Sequence, residues 1–275
     1  MISKSGQPSN KRRPCSTAID LSLSRGPAMA IRMDFADYEA EGPQHQHRQG
    51  QLVLALHGAV TCRAESGIWI VPPDCGIWIP GGVPHSNQVT SNARLTYLFV
   101  EPGAAMLPSE CCTLSVSPML REMILRVAKL SEDDARDAHV DRLMRVMLDE
   151  LALMPRDGLE LPVSDHPKIA LIAAALLADP SDRRTLGQWA AHVAVSERSL
   201  KRLMVQQTGL SFGRWRRQLH LVIALRELAG GATVQQVAGD LGYESTTAFI
   251  VMFRKALGTT PSRYFADRLF NAERA

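Results

Sequence analysis

Residues 185–258 carry one helix signal written twice, and this repetition constrains the chain more than any other feature. The first copy opens Thr185-Leu186-Gly187-Gln188-Trp189-Ala190 and the second Thr233-Val234-Gln235-Gln236-Val237-Ala238. In each, the Thr hydroxyl accepts from the backbone three residues on, while the Gln at that position reaches back to the Thr amide. Leu186/Trp189/Ala190/Val193 and Val234/Val237/Ala238/Leu241 then fall at three-and-four spacing, one buried stripe per helix. After a tight connection, Ser196 and Ser245 stand as N-caps of a second helix. Those helices bury Leu200/Leu203/Met204 and Phe249/Met252/Phe253 at identical offsets, and Gly209 and Gly258 end them. A long helix from about Ser211 to Leu228, with Phe212, Trp215, Leu219, Val222 and Ile223 on one side, joins the copies. One helix-turn-helix pattern in a helical segment is often mere packing. Two in register, at 186–207 and 234–257, are specific.

Charge singles out the same region. From Lys168 onward there are 15 Lys+Arg and 8 Asp+Glu, net +7, leaving 16 basic and 20 acidic residues elsewhere, net −4. A basic module on a mildly acidic body suits a polyanion partner, although a solvated face gives the same count. With 275 residues, 45% hydrophobic, the chain is long enough for two cores. No apolar run reaches membrane-spanning length. Residues 1–30 hold Lys11, Arg12 and Arg13 with no apolar stretch behind them, so a disordered lead is expected rather than a secretory signal, and Met29 or Met33 are candidate starts. Five cysteines without a CxxC pair read as reduced thiols of a cytoplasmic protein.

Residues 31–102 change the pattern to short apolar runs between Gly/Pro turns: Leu52–Leu56, Gly67–Val71, Ile77–Ile79 and Leu95–Val100. That spacing indicates a sandwich or barrel. Residues 103–165 read as a helical segment and linker. Met119, Met123 and Leu130 lie on one amphipathic helix and Val140, Leu143, Met147, Leu151 and Met154 on the next, with a break near 131–134 and a Pro/Gly linker from 155 to 167. Val140, Leu143, Met147 and Leu151 are candidates for a dimer seam; packing against the barrel is the equal alternative. Residues 166–266 form the helical module and 267–275 a tail.

Ser196–Leu203, Thr208–Arg216 and Gly242–Ser245 through Phe253–Tyr264 resemble the DNA-binding domain of AraC-type transcription regulators, over about the last hundred residues. The resemblance implies seven helices that insert two recognition helices into successive major-groove segments, matching the about 34 Å repeat of the duplex. His45-Gln46-His47, Gln51 and Gly58 resemble the first cupin motif, and Pro80-Gly81-Gly82-Val83-Pro84-His85 the second. The whole is then a two-domain chain: an N-terminal all-β cupin (jelly-roll) barrel with appended α-helices and a C-terminal all-α domain. With Trp69–Pro73 and Ile77–Pro80 it looks most like the subgroup that represses a neighbouring transporter or efflux gene. The partners implied are double-stranded operator DNA, a small-molecule effector, a second copy of the chain and RNA polymerase.

His45 and His47 alternate, as on a strand, so both imidazoles point to one face and His85 can join them. Three convergent imidazoles bind divalent transition metals. Gln51 stands where catalytic cupins carry a Glu ligand, which removes a charge and a strong donor. No cofactor is required by the reading: the same histidines can line an effector pocket or pack in the core. A metal-dependent cupin enzyme with an accessory DNA-binding module is the rival class; a non-enzyme is favoured, since no Ser/His/Asp triad, P-loop or dinucleotide loop occurs.

Aligning the repeats by their capping serines pairs Arg198 with Thr247, Lys201 with Ile250 and Arg202 with Val251. The first unit offers three long cationic donors to base edges, whereas the second offers Thr246 and Thr247. Arg214, Arg216, Arg217, Lys255 and Arg263 are candidate phosphate contacts.

Overall fold

In a strand, side chains alternate between two faces, so a strand apolar on both faces must be covered twice. The central strands of this chain are of that kind, and the architecture follows from what covers them. The computed structural model describes residues 13–14, 26–35, 40–64, 67–72, 75–131, 134 and 137–272. The strands are β1 (Arg13–Pro14), β2 (Ala28–Asp34), β3 (Ala40–Glu41), β4 (Gly50–His57), β5 (Val60–Ala64), β6 (Gly67–Val71), β7 (Cys75–Ile79), β8 (His85–Val89), β9 (Arg94–Val100), β10 (Cys112–Ser115), β11 (Arg156–Asp157) and β12 (Glu160–Pro162). They form two sheets, ordered β1-β3-β8-β5-β6-β12 and β11-β10-β7-β4-β9-β2. This is the N-terminal β domain.

In the second sheet Val53 stands opposite Tyr97 and Ile77, and Leu52 opposite Leu98 and Trp78. Val53, Tyr97 and Ile77 face the interior between the sheets. Leu52, Leu54, Leu98 and Leu114 face outward and are covered by α1 (Pro118–Val127) and α2 (Ala138–Leu153). That requirement corrects the expected dimer seam. Val140, Met147 and Leu151 are buried against the chain's own sheet, and Leu143 packs at the edge of the same cluster. On α1 the buried stripe is Leu120, Ile124 and Val127; Met119 is half exposed, because the apolar sheet takes the face one residue over.

Seven helices among the described residues make the C-terminal domain: α3 (Pro167–Ala178), α4 (Leu186–His192), α5 (Glu197–Thr208), α6 (Phe212–Ala229), α7 (Val234–Asp240), α8 (Thr246–Leu257) and α9 (Pro261–Ala272). Both capping boxes are formed, Thr185 with Gln188 and Thr233 with Gln236. Ser196 and Ser245 accept from the third amide of α5 and α8, and Gly209 and Gly258 end these helices in the left-handed conformation.

The segment 155–167 differs most from expectation. In place of a free linker it adds β11 to β10 and β12 to β6. Leu161 pairs with Ile68, and this outer face of β6 and β12 meets α6. Trp215 Nε1 donates to Pro162 O at 2.8 Å, and Gln218 Nε2 donates to the carbonyls of Gly158 and Glu160. At the other end of α6, Asn92 Nδ2 in the β8–β9 turn donates to Ala229 O at 2.9 Å. Helix α6 is therefore buried on more than the one side its periodicity suggests: Leu221 and Leu225 are covered as well as Trp215 and Leu219. One apolar cluster runs from the barrel interior through Leu159 and Leu161 to Trp215 and Phe253. The residues expected to form the lead lie outside the described residues up to 25, apart from 13–14; Ala28–Ala30 belong to β2.

A core shared in this way makes the two domains unfold together. A single calorimetric transition is expected for the intact chain, and Leu161→Ala lowers its stability by about 2–5 kcal/mol. Two well-separated transitions in the unsubstituted protein would refute the shared core.

Candidate nucleic-acid interface and barrel site

The second helix of each helix-turn-helix unit is amphipathic, and its inward stripe decides which residues face out. In α5, Leu200 and Met204 are buried, which leaves Arg198, Lys201 and Arg202 exposed on the opposite face. In α8, Phe249 and Phe253 are buried, Thr247 is exposed, Thr246 is half-buried and Val251 is 61% exposed. The two helices thus present unlike chemistry: long cations on one, a hydroxyl and a branched apolar side chain on the other. The repeat alignment sets Ile250 and Val251 together behind the threonines; Val251 is exposed there, whereas Ile250 packs on the core.

The turns inside the two units also differ. Ala194 takes φ 53°, a left-handed conformation that favours glycine, and Gly242 takes φ 73° at the matching place. Val195 N and Tyr243 N make the same bond, to Ala190 O and Ala238 O. The second turn then holds one further residue, Glu244, before its capping serine.

Among the candidate phosphate contacts, Arg214, Arg217, Lys255 and Arg263 are exposed. Arg216 is not available for that role. It is half-buried, donates to Arg184 O at 2.7 Å and lies over the Phe212 ring at 4.7 Å. Arg184 in turn is paired with Asp182 and stacked on Trp189 at 3.6 Å. These two arginines tie α6 to α4, a structural use that net charge cannot distinguish from a groove contact.

At the barrel's other end His45, His47 and His85 converge, with ring centroids 4.4–6.0 Å apart and ligand atoms within 4.8 Å of one another. His45 and His47 do not sit on a strand as expected; they lie in the segment before β4, where His45 makes one isolated bridge to His85. Several contacts hold that segment. Gly82 N donates to His47 O, and Arg48 and Gln49 both bond Glu101. At Gly81 a Cβ would run into the Arg48 carbonyl, so the second motif needs glycine there. Each Nδ1 lies beside a backbone carbonyl: Pro43 O at 3.0 Å for His45, Gln49 O at 2.7 Å for His47 and Val83 O at 2.9 Å for His85. A carbonyl only accepts, so each Nδ1 carries the proton, and the Nε2 of His45 and of His85 offers a lone pair; the Nε2 of His47 does so once the Gln51 amide turns its NH2 towards it. His47 Nε2 lies 2.8 Å from Gln51 Oε1, and buried His85 Nε2 and Gln51 Nε2 have no partner. Burial lowers the His85 pKa to about 4, so this imidazole is neutral. The site has the donor set for a cation or for a polar ligand.

Helix α6 holds a second neutral histidine that the sequence reading passed over. His220 Nε2–H donates to Pro180 O at 3.1 Å, and its Nδ1 accepts from the Tyr243 hydroxyl at 3.2 Å. Burial, with Arg216 nearby, lowers its pKa from 6.5 to about 4. The unfolded chain then binds this proton more tightly than the folded one, so stability is lost as pH falls from 6.5 towards 4. A difference on the order of 3 kcal/mol across that window is expected between the unsubstituted protein and His220→Gln in their pH dependence. Urea midpoints measured from pH 7 to 4 with parallel slopes for both proteins would contradict it.

Comparison with known proteins is consistent with both halves. A family model described as a helix-turn-helix domain matches residues 189–267, and one described as an AraC-like ligand binding domain matches residues 30–167. The chain is 54% identical over 239 residues to the HTH-type transcriptional regulator NimR of Escherichia coli (strain K12), covering 87% of this chain and 88% of that protein. It is 30% identical over 121 residues to the HTH-type transcriptional regulator RipA of Corynebacterium glutamicum, covering 44% and 37%. The solved DNA-binding domain of AdpA, in complex with a target DNA, is similar at 28% identity and a TM-score of 0.34, over 36% of this chain and 89% of that one.

Proposed function

The chain belongs to the AraC-type helix-turn-helix transcriptional regulators, and on that premise we propose that α5 and α8 enter two successive major-groove segments of operator DNA, under the control of an effector bound at the histidine end of the barrel. The observation that carries this reading is the orientation of the two recognition helices. Each turns its apolar stripe into the shared core and leaves its polar face uncovered. Arg198, Lys201 and Arg202 supply bidentate donors to guanine, while Thr247 and Val251 touch thymine methyls or phosphate. Arg214, Arg217, Lys255 and Arg263 position the domain on phosphates.

Control passes along α6. Its first turns bond β12 and its last carbonyl accepts from Asn92, whereas α1 and α2 pack on the far sheet. A second copy of the chain docks on the outer face of α2, where Val146 and Leu153 are 47% and 74% exposed. The function is cytoplasmic transcription control, with repression of a nearby transporter or metabolic gene the favoured outcome and RNA polymerase a further contact.

A divalent transition metal is the second reading of the barrel end, favoured by the convergence of three imidazoles whose ligand atoms lie within 4.8 Å of one another. His45, His47 and His85 would hold it, with Gln51 Oε1 as a neutral fourth donor. There a metal would supply a Lewis-acidic point for an effector's oxygen or nitrogen. Metal analysis of the purified protein tests it: one equivalent lost in His85→Ala supports the metal, and metal-free protein whose operator binding still responds to a small molecule assigns the site to an organic effector alone.

Arg198→Ala is expected to cost about 1–3 kcal/mol in operator binding and to relax preference at one base position. Thr247→Ala costs less. Selection of each variant against a randomised duplex library at two salt concentrations checks this. If Thr247→Ala reshapes the preferred sequence more than Arg198→Ala, the division of labour is wrong. If Arg198→Ala weakens all sequences alike and reduces the salt slope by about one, Arg198 contacts phosphate.

A further inference from the structure

Two recognition helices on one connecting helix reach successive groove segments only if the angle and separation between them are held. Helix α6 supplies the separation. The loop between α3 and α4, residues 179–184, supplies a second tie that the repeat itself does not contain. Arg183 Nη2 donates to Gly242 O at 2.6 Å, and its Nη1 pairs with Glu244 at 3.2 Å. Both acceptors belong to the turn of the second unit. Gly242 sits so close to the loop that a Cβ would lie 2.9 Å from Ser181 O, in a left-handed conformation besides. Beneath them His220, midway along α6, bridges Pro180 O of the loop to the Tyr243 hydroxyl of the turn. Tyr243 also packs edge-on against Phe249 of α8.

The same loop is tied to the first unit. Arg184 stacks on Trp189 of α4, pairs with Asp182, and offers its carbonyl to Arg216 of α6. Neighbouring residues of one short loop therefore hold opposite units, Arg184 the first and Arg183 the second. Glu244 is also the residue by which the second turn is longer than the first, so its pairing explains a difference between the repeats that helix packing does not require.

We propose that the 179–184 loop is a brace that fixes the pitch between the two recognition helices, and that Arg183, with Tyr243 and His220 beneath it, is a positioning residue setting which spacing of the two DNA boxes is accepted. The proposal rests on the two-groove reading above. Arg183 is remote in role from base reading: its donors face the turn of the second unit. The Arg183–Glu244 pair is solvent-exposed, 62% and 84%, and an exposed pair adds little to folding stability. Arg183→Ala is thus expected to leave the fold intact while loosening the second unit.

The experiment uses the full-length chain and a duplex selected by it from a randomised library. Affinity is measured on that duplex, on versions with one base pair inserted or deleted between the boxes, and on a version with the second box scrambled. For Arg183→Ala the expected result is a loss of roughly five-fold or more on the selected duplex, the lower end of typical coupling between sites. Affinity for the scrambled duplex stays unchanged and the spacing penalty shrinks. Tyr243→Phe, which deletes only the hydroxyl, is expected to shift the spacing profile in the same direction. An unchanged spacing profile in both variants overturns the brace. So does an equal loss on the selected and scrambled duplexes with the salt slope reduced by about one, which would make Arg183 a phosphate contact. Selection of no two-box sequence by the unsubstituted protein overturns the two-groove reading, and the brace falls with it.

Discussion

The junction of β12 and Trp215 is the contact on which the rest of the molecule depends. Strand β12 is only three residues long, yet it closes the edge of the first sheet and meets the helix that joins the two helix-turn-helix units. Trp215 answers with its ring in the core and its indole N–H on Pro162 O. A free linker would let the barrel and the helical domain move apart. Here the helix that joins the two helix-turn-helix units is packed directly on the sheet, and Asn92 fastens its far end. The barrel and the two helix-turn-helix units therefore meet at α6.

The two ends of the molecule use side-chain charge in opposite ways. On the outer face of α5 Arg198, Lys201 and Arg202 are exposed, where a cation costs no desolvation and attracts an anion at long range. At the barrel end the histidines are held in one tautomer by backbone carbonyls, and buried His85 is neutral. A neutral imidazole keeps its lone pair for a ligand or cation. Gln51 in place of a carboxylate keeps the site free of fixed negative charge, which weakens any metal relative to an acidic site and admits uncharged effectors more readily.

Within the helical domain, basic residues that look alike in sequence do three different things. Arg198 and Arg202 face outward, Arg184 and Arg216 tie α4 to α6, and Arg183 spans from the loop to the second turn. The guanidinium makes this division possible, since it stacks on aromatic rings and donates in several directions at once.

Local sequence by itself determined the two helix-turn-helix units, because a capping Thr or Ser, a Gln three residues on and a closing Gly act within a turn or two of chain. It also placed the strands of the barrel and the gathering of His45, His47 and His85, although not the irregular backbone that carries two of them. What only the tertiary structure decided were matters of covering. Val140, Met147 and Leu151 look the same on paper whether they meet a second copy or the chain's own sheet, and the apolar outer face of Leu52, Leu54 and Leu98 settled it. Residues 155–167 read as a linker because Pro and Gly mark irregular chain. Their pairing with β6 and β10 depends on edges that exist only once the barrel has formed. Arg216, His220 and Arg183 gave no periodic signal, since their hydrogen-bond partners lie 23 to 61 residues away in the chain. Periodicity records what one helix or strand buries, and long-range partners are fixed only when separate elements meet.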